Sequence, residues 1–218
     1  MFLRHRAVIF DVGGVIVGSP LHAIARFERD QAIEPGFVNR VVVGAGERGA
    51  WARLERGELT LEAFFEAFES DCEAAGGRLS ARRLMEWIAE EAAPRPRMLE
   101  AVRRIRSGGL RAAALTNNWP AGESGTEVLK PHFDVFVESS VVGLRKPDPR
   151  IYQHTCDAVG IAPGEAVFLD DIGRNLKTAR ALGMTTIKVD DPDDALRELE
   201  AVLDLALLDP SPSPRGPS

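Results

Sequence analysis

Ala7-Val8-Ile9-Phe10 runs directly into Asp11, and far downstream Ala166-Val167-Phe168-Leu169 runs directly into Asp170-Asp171. Short apolar runs without polar alternation are the pattern of strands covered on both faces, as in parallel sheets flanked by helices. Open sheets of that kind bind ligands beyond the carboxyl ends of their strands. If the two runs lie together, Asp11, Asp170 and Asp171 share one crevice, and their repulsion raises at least one pKa unless a cation is present. A hard divalent ion such as Mg²⁺, which takes oxygen ligands, meets that need. Such a cluster is the seed of a phosphoryl-transfer site.

The chain of 218 residues is long enough for one sizeable core plus an insertion. It has no apolar stretch of membrane-spanning length. Arg4, His5 and Arg6 precede an apolar run, but Asp11 interrupts it and no small-residue cleavage site follows, so a cytoplasmic protein is expected. A net charge of -6 and the lack of a Lys/Arg run interleaved with aromatics argue against nucleic acid as a partner. Cys72 and Cys156 show no metal-ligand spacing and are expected to be reduced, packed thiols.

Residues 20–95 carry helical periodicities and one strand-like stretch, Val41-Val42-Val43. Leu61, Phe64, Phe65, Phe68 and Cys72 recur on one helix face behind a Thr60 N-cap, and Leu84, Trp87 and Ile88 form another apolar face. Pro94-Arg95-Pro96 then breaks the pattern. Beyond it helices and strands alternate: helix 98–107, strand 110–116, strand 133–138, helix 149–159, a strand ending at Asp170, helix 175–182, strand 185–189, and a last helix with Leu196, Leu199 and Leu203. Alternation implies a parallel sheet. The expected fold is α/β: a doubly wound, Rossmann-like parallel sheet of about five strands with a helical cap inserted after the first. The core would take residues 1–19 and 96–204, the cap 20–95, and a disordered Pro/Ser tail 205–218.

Four segments stand just after strands: Asp11-Val12-Gly13, Thr116-Asn117-Asn118, Lys146-Pro147-Asp148-Pro149, and Asp170-Asp171 with Asn175. Singly each has an ordinary role. Asp11 can open a turn, Thr116 or Asp171 can cap a helix, and Lys146 can sit in water. In this order and strand context they resemble the haloacid dehalogenase-like hydrolase superfamily, over nearly the whole chain up to about Val202. Leu115 to Asn118, Lys146 to Tyr152 and Phe168 to Lys177 are most similar to the phosphatase domain at the N-terminus of soluble epoxide hydrolases and to the related domain fused to some acyl-CoA dehydrogenases. The epoxide-opening half is not expected, because Gly122-Glu123-Ser124-Gly125-Thr126 fails the Gly-x-Ser-x-Gly pattern.

The resemblance implies that Asp11 is the nucleophile, forming an aspartyl phosphate that water hydrolyses. It implies Mg²⁺ held by Asp11, the carbonyl of Gly13 and Asp171, with Asp170 in support. Thr116 and Asn117 would receive the phosphoryl oxygens, Lys146 would neutralise charge between nucleophile and phosphate, and Asn175 would orient Lys146 or the metal's surroundings. The implied substrate is a small phosphorylated molecule, and the implied assembly a monomer or homodimer. The departure is Gly13, where family phosphatases carry an aspartate as general acid and base. Alternatives are a weak or inactive phosphate-binding or regulatory protein, or dehalogenase-like chemistry. The acid pair at 170 and 171 opposes the metal-free dehalogenase route, and residues 20–95 lack the lysine that a phosphonatase cap supplies.

Gly44-Ala45-Gly46-Glu47-Arg48-Gly49 also fits Gly-x-Gly-x-x-Gly, the pattern of dinucleotide-binding loops. The helical segments after it do not close a βαβ unit. A flexible hinge between cap helices is expected instead, with Trp51, Arg48 and Arg53 facing the substrate.

Overall fold

The computed structural model describes residues 5–120 and 126–208. Residues 122–125 of the Gly122 to Thr126 segment lie outside them, as does tail segment 209–218.

Strand β1 (Ala7–Phe10) is followed by five helices: α1 (Pro20–Asp30), α2 (Phe37–Ala45), α3 (Ala50–Glu55), α4 (Leu61–Ala74) and α5 (Ala81–Glu90). The chain then returns through α6 (Pro96–Ser107), β2 (Arg111–Thr116), β3 (Val135–Glu138), α7 (Ser139–Val142), α8 (Pro149–Val159), β4 (Ala166–Asp170), α9 (Gly173–Ala181), β5 (Thr185–Lys188) and α10 (Pro192–Leu203). The sheet is five-stranded, in the order β3-β2-β1-β4-β5, and every pairing is parallel. The order reverses between β1 and β4, which is the crevice where such sheets hold ligands. Phe10 pairs with both Ala114 and Leu169, so Asp11 and Asp170 leave the sheet side by side.

The sheet is covered on both faces because alternate residues point opposite ways. Val8 and Phe10 pack with Met98, Val102 and Ile105 of α6 and Leu196, Leu199 and Leu203 of α10. Ala7 and Ile9 pack with Ile151, Tyr152 and Cys156 of α8 and Leu176 of α9. The inserted helices hold their own cluster around Phe27, Trp51, Phe64, Phe68 and Leu84. The two connections to the insertion run together: Val17 bridges Pro94, and the Arg95 N–H donates to the Ile16 carbonyl at 2.8 Å.

Several local readings hold. Phe64, Phe65, Phe68 and Cys72 are buried on one face of α4, and the Thr60 hydroxyl accepts from Ala63 N–H at 3.2 Å. Cys72 and Cys156 are free, buried thiols. Val41-Val42-Val43 is not a strand; it lies inside α2. Phe37, Val38 and Val41 give α2 a buried face, and its start is fastened by the buried Glu28 carboxylate, which accepts from Gly36 and Val38 N–H at 2.7 and 2.8 Å. Packing and capping here override the weak helix preference of valine. At the other end, packed chain continues past residue 204: Leu207 is buried, and Leu207 and Leu208 N–H donate to Glu200 Oε1 at 2.7 Å. Among the described residues no helix is long and apolar enough to cross a membrane.

Candidate active site

Asp11 leaves β1 into the wide turn Val12–Ile16. The carboxylate is fixed at once, since its Oδ1 accepts from Val12 N–H at 2.7 Å. Arg95 ties down the same turn, donating to the carbonyls of Gly14 and Val15 at 2.5 and 3.0 Å. Gly14 has φ +79°, and a Cβ there would stand 2.2 Å from Asp171 Oδ2. Only glycine lets the turn approach β4 this closely.

Asp11, Asp170 and Asp171 each present an oxygen within 4.8 Å of the others. Lys146 reaches between two of them, its Nζ 2.7 Å from Asp11 Oδ1 and 2.8 Å from Asp170 Oδ2. The lysine is 1% exposed, so its solvated reading is wrong. Asp170 is sealed in: Ile172 N–H donates to Oδ1 at 2.8 Å, and Asn175 Nδ2 lies 3.0 Å from both carboxylate oxygens. Asp171 accepts from the Ser19 hydroxyl at 3.1 Å and does not cap α9, whose N-cap is Ile172. Asn175 thus touches Lys146 only through Asp170, and its own Oδ1 is buried without a partner among the described residues.

Burial pushes the Asp11 carboxyl well above the ordinary carboxylate range; Lys146 opposes this, while Asp170 and Asp171 add to it. Burial also raises Asp171, with Asp170 reinforcing and Ser19 opposing. For Lys146, burial works against the ammonium, but Asp11 and Asp170 outweigh it and lift its pKa above the usual lysine value. Three carboxylates against one ammonium leave two uncompensated negative charges when all are ionised. This all-oxygen acidic set suits a hard divalent cation and offers neither the thiolate nor the imidazole that softer ions favour.

At the end of β2, Thr116 is 4% exposed, and its hydroxyl lies 3.4 Å from the Asn117 carbonyl. The Asn117 side chain spans the Lys146 peptide unit: Oδ1 accepts from Lys146 N–H at 2.8 Å, and Nδ2 donates to the Lys146 carbonyl at 3.1 Å. The second Nδ2 contact is to Glu55 Oε2, at 3.2 Å. The Asn117 side-chain amide is therefore committed to holding Lys146.

Asp11, Lys146, Asp171 and Asn175 border a cavity of about 250 Å³ walled by α1, α2, Trp51 and Trp119. Gly13, Pro20, Asn117 and Trp119 separate it from a second cavity of about 700 Å³, which Thr116 lines. Trp51 borders the first cavity as expected, but Arg48 and Arg53 do not; the arginines there are Arg145 and Arg174. The glycine-rich stretch is a short turn, Gly46–Arg48, whose Glu47 side chain is bound by Arg145 and Arg56 at 2.9 Å each. Sequence reasoning missed Arg145 and Glu55, which pair at 2.6 Å while buried. It also missed the Asn118 side chain, clamped between Glu138 at 2.7 Å and Ser140 at 3.0 Å. These contacts join segments with no periodic or motif signal connecting them.

Residues 5–183 match the family described as haloacid dehalogenase-like hydrolase. The chain belongs to that family. It is 41% identical over 208 residues to acyl-CoA dehydrogenase family member 10 of Mus musculus, covering 93% of this chain and 20% of that protein. It is 38% identical over 219 residues to bifunctional epoxide hydrolase 2 of Sus scrofa, covering 93% and 40%. The chain therefore spans less than half of either relative. A phosphoserine phosphatase of Thermus thermophilus is 31% identical over 179 residues, 79% of this chain and 69% of that one. Among solved structures, a HAD family enzyme of Bacteroides thetaiotaomicron in complex with magnesium and inorganic phosphate shares the fold at TM-score 0.60 and 19% identity, covering 84% and 93%. This haloacid dehalogenase-like hydrolase thus has the family's α/β core with a helical insertion after β1.

Proposed function

We propose that the protein is a Mg²⁺-dependent phosphatase that works through an aspartyl phosphate on Asp11. The observation that carries this reading is the charge arrangement: Asp11 beside a buried ammonium, inside an acidic trio that lacks two positive charges, on the wall of a cavity. Asp11, the Gly13 carbonyl and Asp171 would hold the metal, with Asp170 and the unpartnered Asn175 Oδ1 supporting from behind. Bound there, Mg²⁺ supplies positive charge to the phosphoryl oxygens.

Asp11 Oδ1 already accepts from Val12 N–H and Lys146, and the carboxylate oxygen that does not hold the metal would attack phosphorus. That bond forms as the bond from phosphorus to the leaving oxygen breaks, and the leaving group departs with its electron pair. Lys146, already against Asp11, balances charge on the transferring group. The Asn117 backbone N–H, on the wall between the two cavities, would receive its oxygens, and so would the Thr116 hydroxyl, which lines the adjoining cavity. Water then attacks phosphorus, and the bond from phosphorus to Asp11 breaks, releasing inorganic phosphate. No side chain at position 13 protonates the leaving group or deprotonates that water. Phosphates whose leaving groups need no proton, such as aryl and acyl phosphates, are therefore the preferred substrates.

One observation favours a second reading, a phosphate-binding protein with little turnover. The Pro20 ring fills the place of a side chain at position 13, with Cδ only 3.1 Å from where a Cβ would stand. Hydrolysis of p-nitrophenyl phosphate with Mg²⁺, abolished in Asp11→Asn, is the expected result. No turnover of any aryl or acyl phosphate would refute the enzymatic reading and leave the second.

A further inference from the structure

The Lys146 ammonium stands where it does because its peptide unit is clamped, and the clamp leads into the cap. Asn117 grips Lys146 N–H and C=O with its side-chain amide, at 2.8 and 3.1 Å. The remaining Asn117 hydrogen goes to Glu55 Oε2, at 3.2 Å. Glu55, the last residue of α3 in the cap, is 7% exposed and fully engaged. Its Oε1 accepts from the Trp51 indole N–H at 3.0 Å, one helical turn back. Its Oε2 also accepts from Arg145 Nε at 2.6 Å. Arg145 is the residue before Lys146, and its other arm reaches Glu47 of the cap at 2.9 Å. Beside this point Gly57, at φ +71°, packs so tightly that a Cβ would stand 2.3 Å from the Ser140 carbonyl oxygen.

A carboxylate that merely fastened the cap would need only one cation. Glu55 instead meets both residues that border Lys146, one in sequence and one through hydrogen bonds. We propose that Glu55 is a positioning residue: when the cap seats, its carboxylate locks Asn117 and Arg145 and thereby sets Lys146 against Asp11. Cap closure and assembly of the reactive site are then a single event. This rests on the phosphatase reading only for its kinetic consequence. A buried carboxylate stripped of these donors is strongly disfavoured, so the contact is either made in full or opened to water.

Glu55→Gln tests it. The amide is nearly isosteric, but all three partners of Glu55 are N–H donors, so its NH₂ must face a donor in either orientation. With p-nitrophenyl phosphate and Mg²⁺, kcat should fall by about 10- to 100-fold, the size usual for outer-shell partners, while KM changes much less. By hydrogen exchange, the Lys146 N–H should lose protection while the β4 amides of Val167 to Leu169 keep theirs. Trp51→Phe, which removes one donor from Glu55, should produce the same two changes at smaller size and covers the case in which Glu55→Gln does not fold. An active wild type with unchanged kcat in the folded variants, or wild-type protection at Lys146, would overturn the proposal. If the wild type itself turns over nothing, the phosphatase reading fails, and the exchange result alone decides for or against Glu55.

Discussion

Restoring an acid at position 13 is the perturbation that the structure makes most quantitative. Gly13 sits at φ -66° and ψ 129°, a conformation open to any L-residue, so Gly13→Asp meets no backbone penalty. The obstacle is the Pro20 ring, whose Cδ and Cγ lie 3.1 and 3.2 Å from the new Cβ. Pro20 opens α1, and its ring must retreat by a few tenths of an ångström, at the low end of the roughly 1–3 kcal/mol typical of overpacking. A positioned general acid is worth about 10²- to 10⁴-fold, or about 3–5 kcal/mol of barrier at 1.36 kcal/mol per tenfold. The packing cost falls on stability rather than on the barrier, so the gain in rate is readable in a variant that stays folded. The assay compares kcat for n-butyl phosphate and p-nitrophenyl phosphate, with Mg²⁺, in wild type, Gly13→Asp, and Gly13→Asp with Pro20→Ala. The alkyl phosphate should gain about a hundredfold or more and the aryl phosphate clearly less, because nitrophenolate leaves without a proton. The added Pro20→Ala should raise the gain further. Equal gains for both substrates, or none in a variant that melts like wild type, would refute the assignment of the missing acid to this position.

Lys146→Met leaves Asp11 and Asp170 buried without their cation, which should cost about 3–5 kcal/mol in urea unfolding; a loss below about 1 kcal/mol contradicts the buried pairing. Mg²⁺ should raise the melting temperature, by the equivalent of about 2.7 kcal/mol at a hundredfold excess over Kd, and Asp171→Asn should remove most of that shift; an equal shift in the variant would place the metal elsewhere. Burial, aided by Asp71 and Glu69, pushes the Cys72 thiol up to about 12, and burial with Asp157 pushes Cys156 up to about 11. The unfolded chain releases these protons from about pH 9 while the folded chain keeps them, so their contribution to stability is complete below that pH and is lost as pH climbs toward 11 and 12. Urea midpoints should fall over that window, and in Cys72→Ala the fall should be shallower; an identical fall would remove Cys72 from the account.

The parts of this protein that were legible in its sequence are those fixed by short-range pattern. The runs into Asp11 and Asp170 read as covered strands, and the parallel pairing of Phe10 with Leu169 is what brings their ends together. Lys146 was legible as a group of interest, but its burial between Asp11 and Asp170 depends on Asn117 gripping its backbone. Val41 to Val43 misled because three β-branched residues mimic a strand; the deciding contacts, Glu28 to Gly36 and Val38, come from another helix. Glu55, Glu47 and Arg145 were invisible for the same reason. Each is an ordinary charged residue until the cap folds onto the end of the sheet and brings residues 47 and 55 to residue 145.

Rapid quenching of the wild-type protein during reaction with p-nitrophenyl phosphate and Mg²⁺, followed by peptide mass spectrometry, reaches the central claim most directly. With no base at position 13 to activate water, the covalent intermediate should accumulate, and the peptide carrying Asp11 should bear a phosphoryl group that Asp11→Asn lacks. Product release with Asp11 unmodified, or a phosphoryl group found on another residue, would contradict the account.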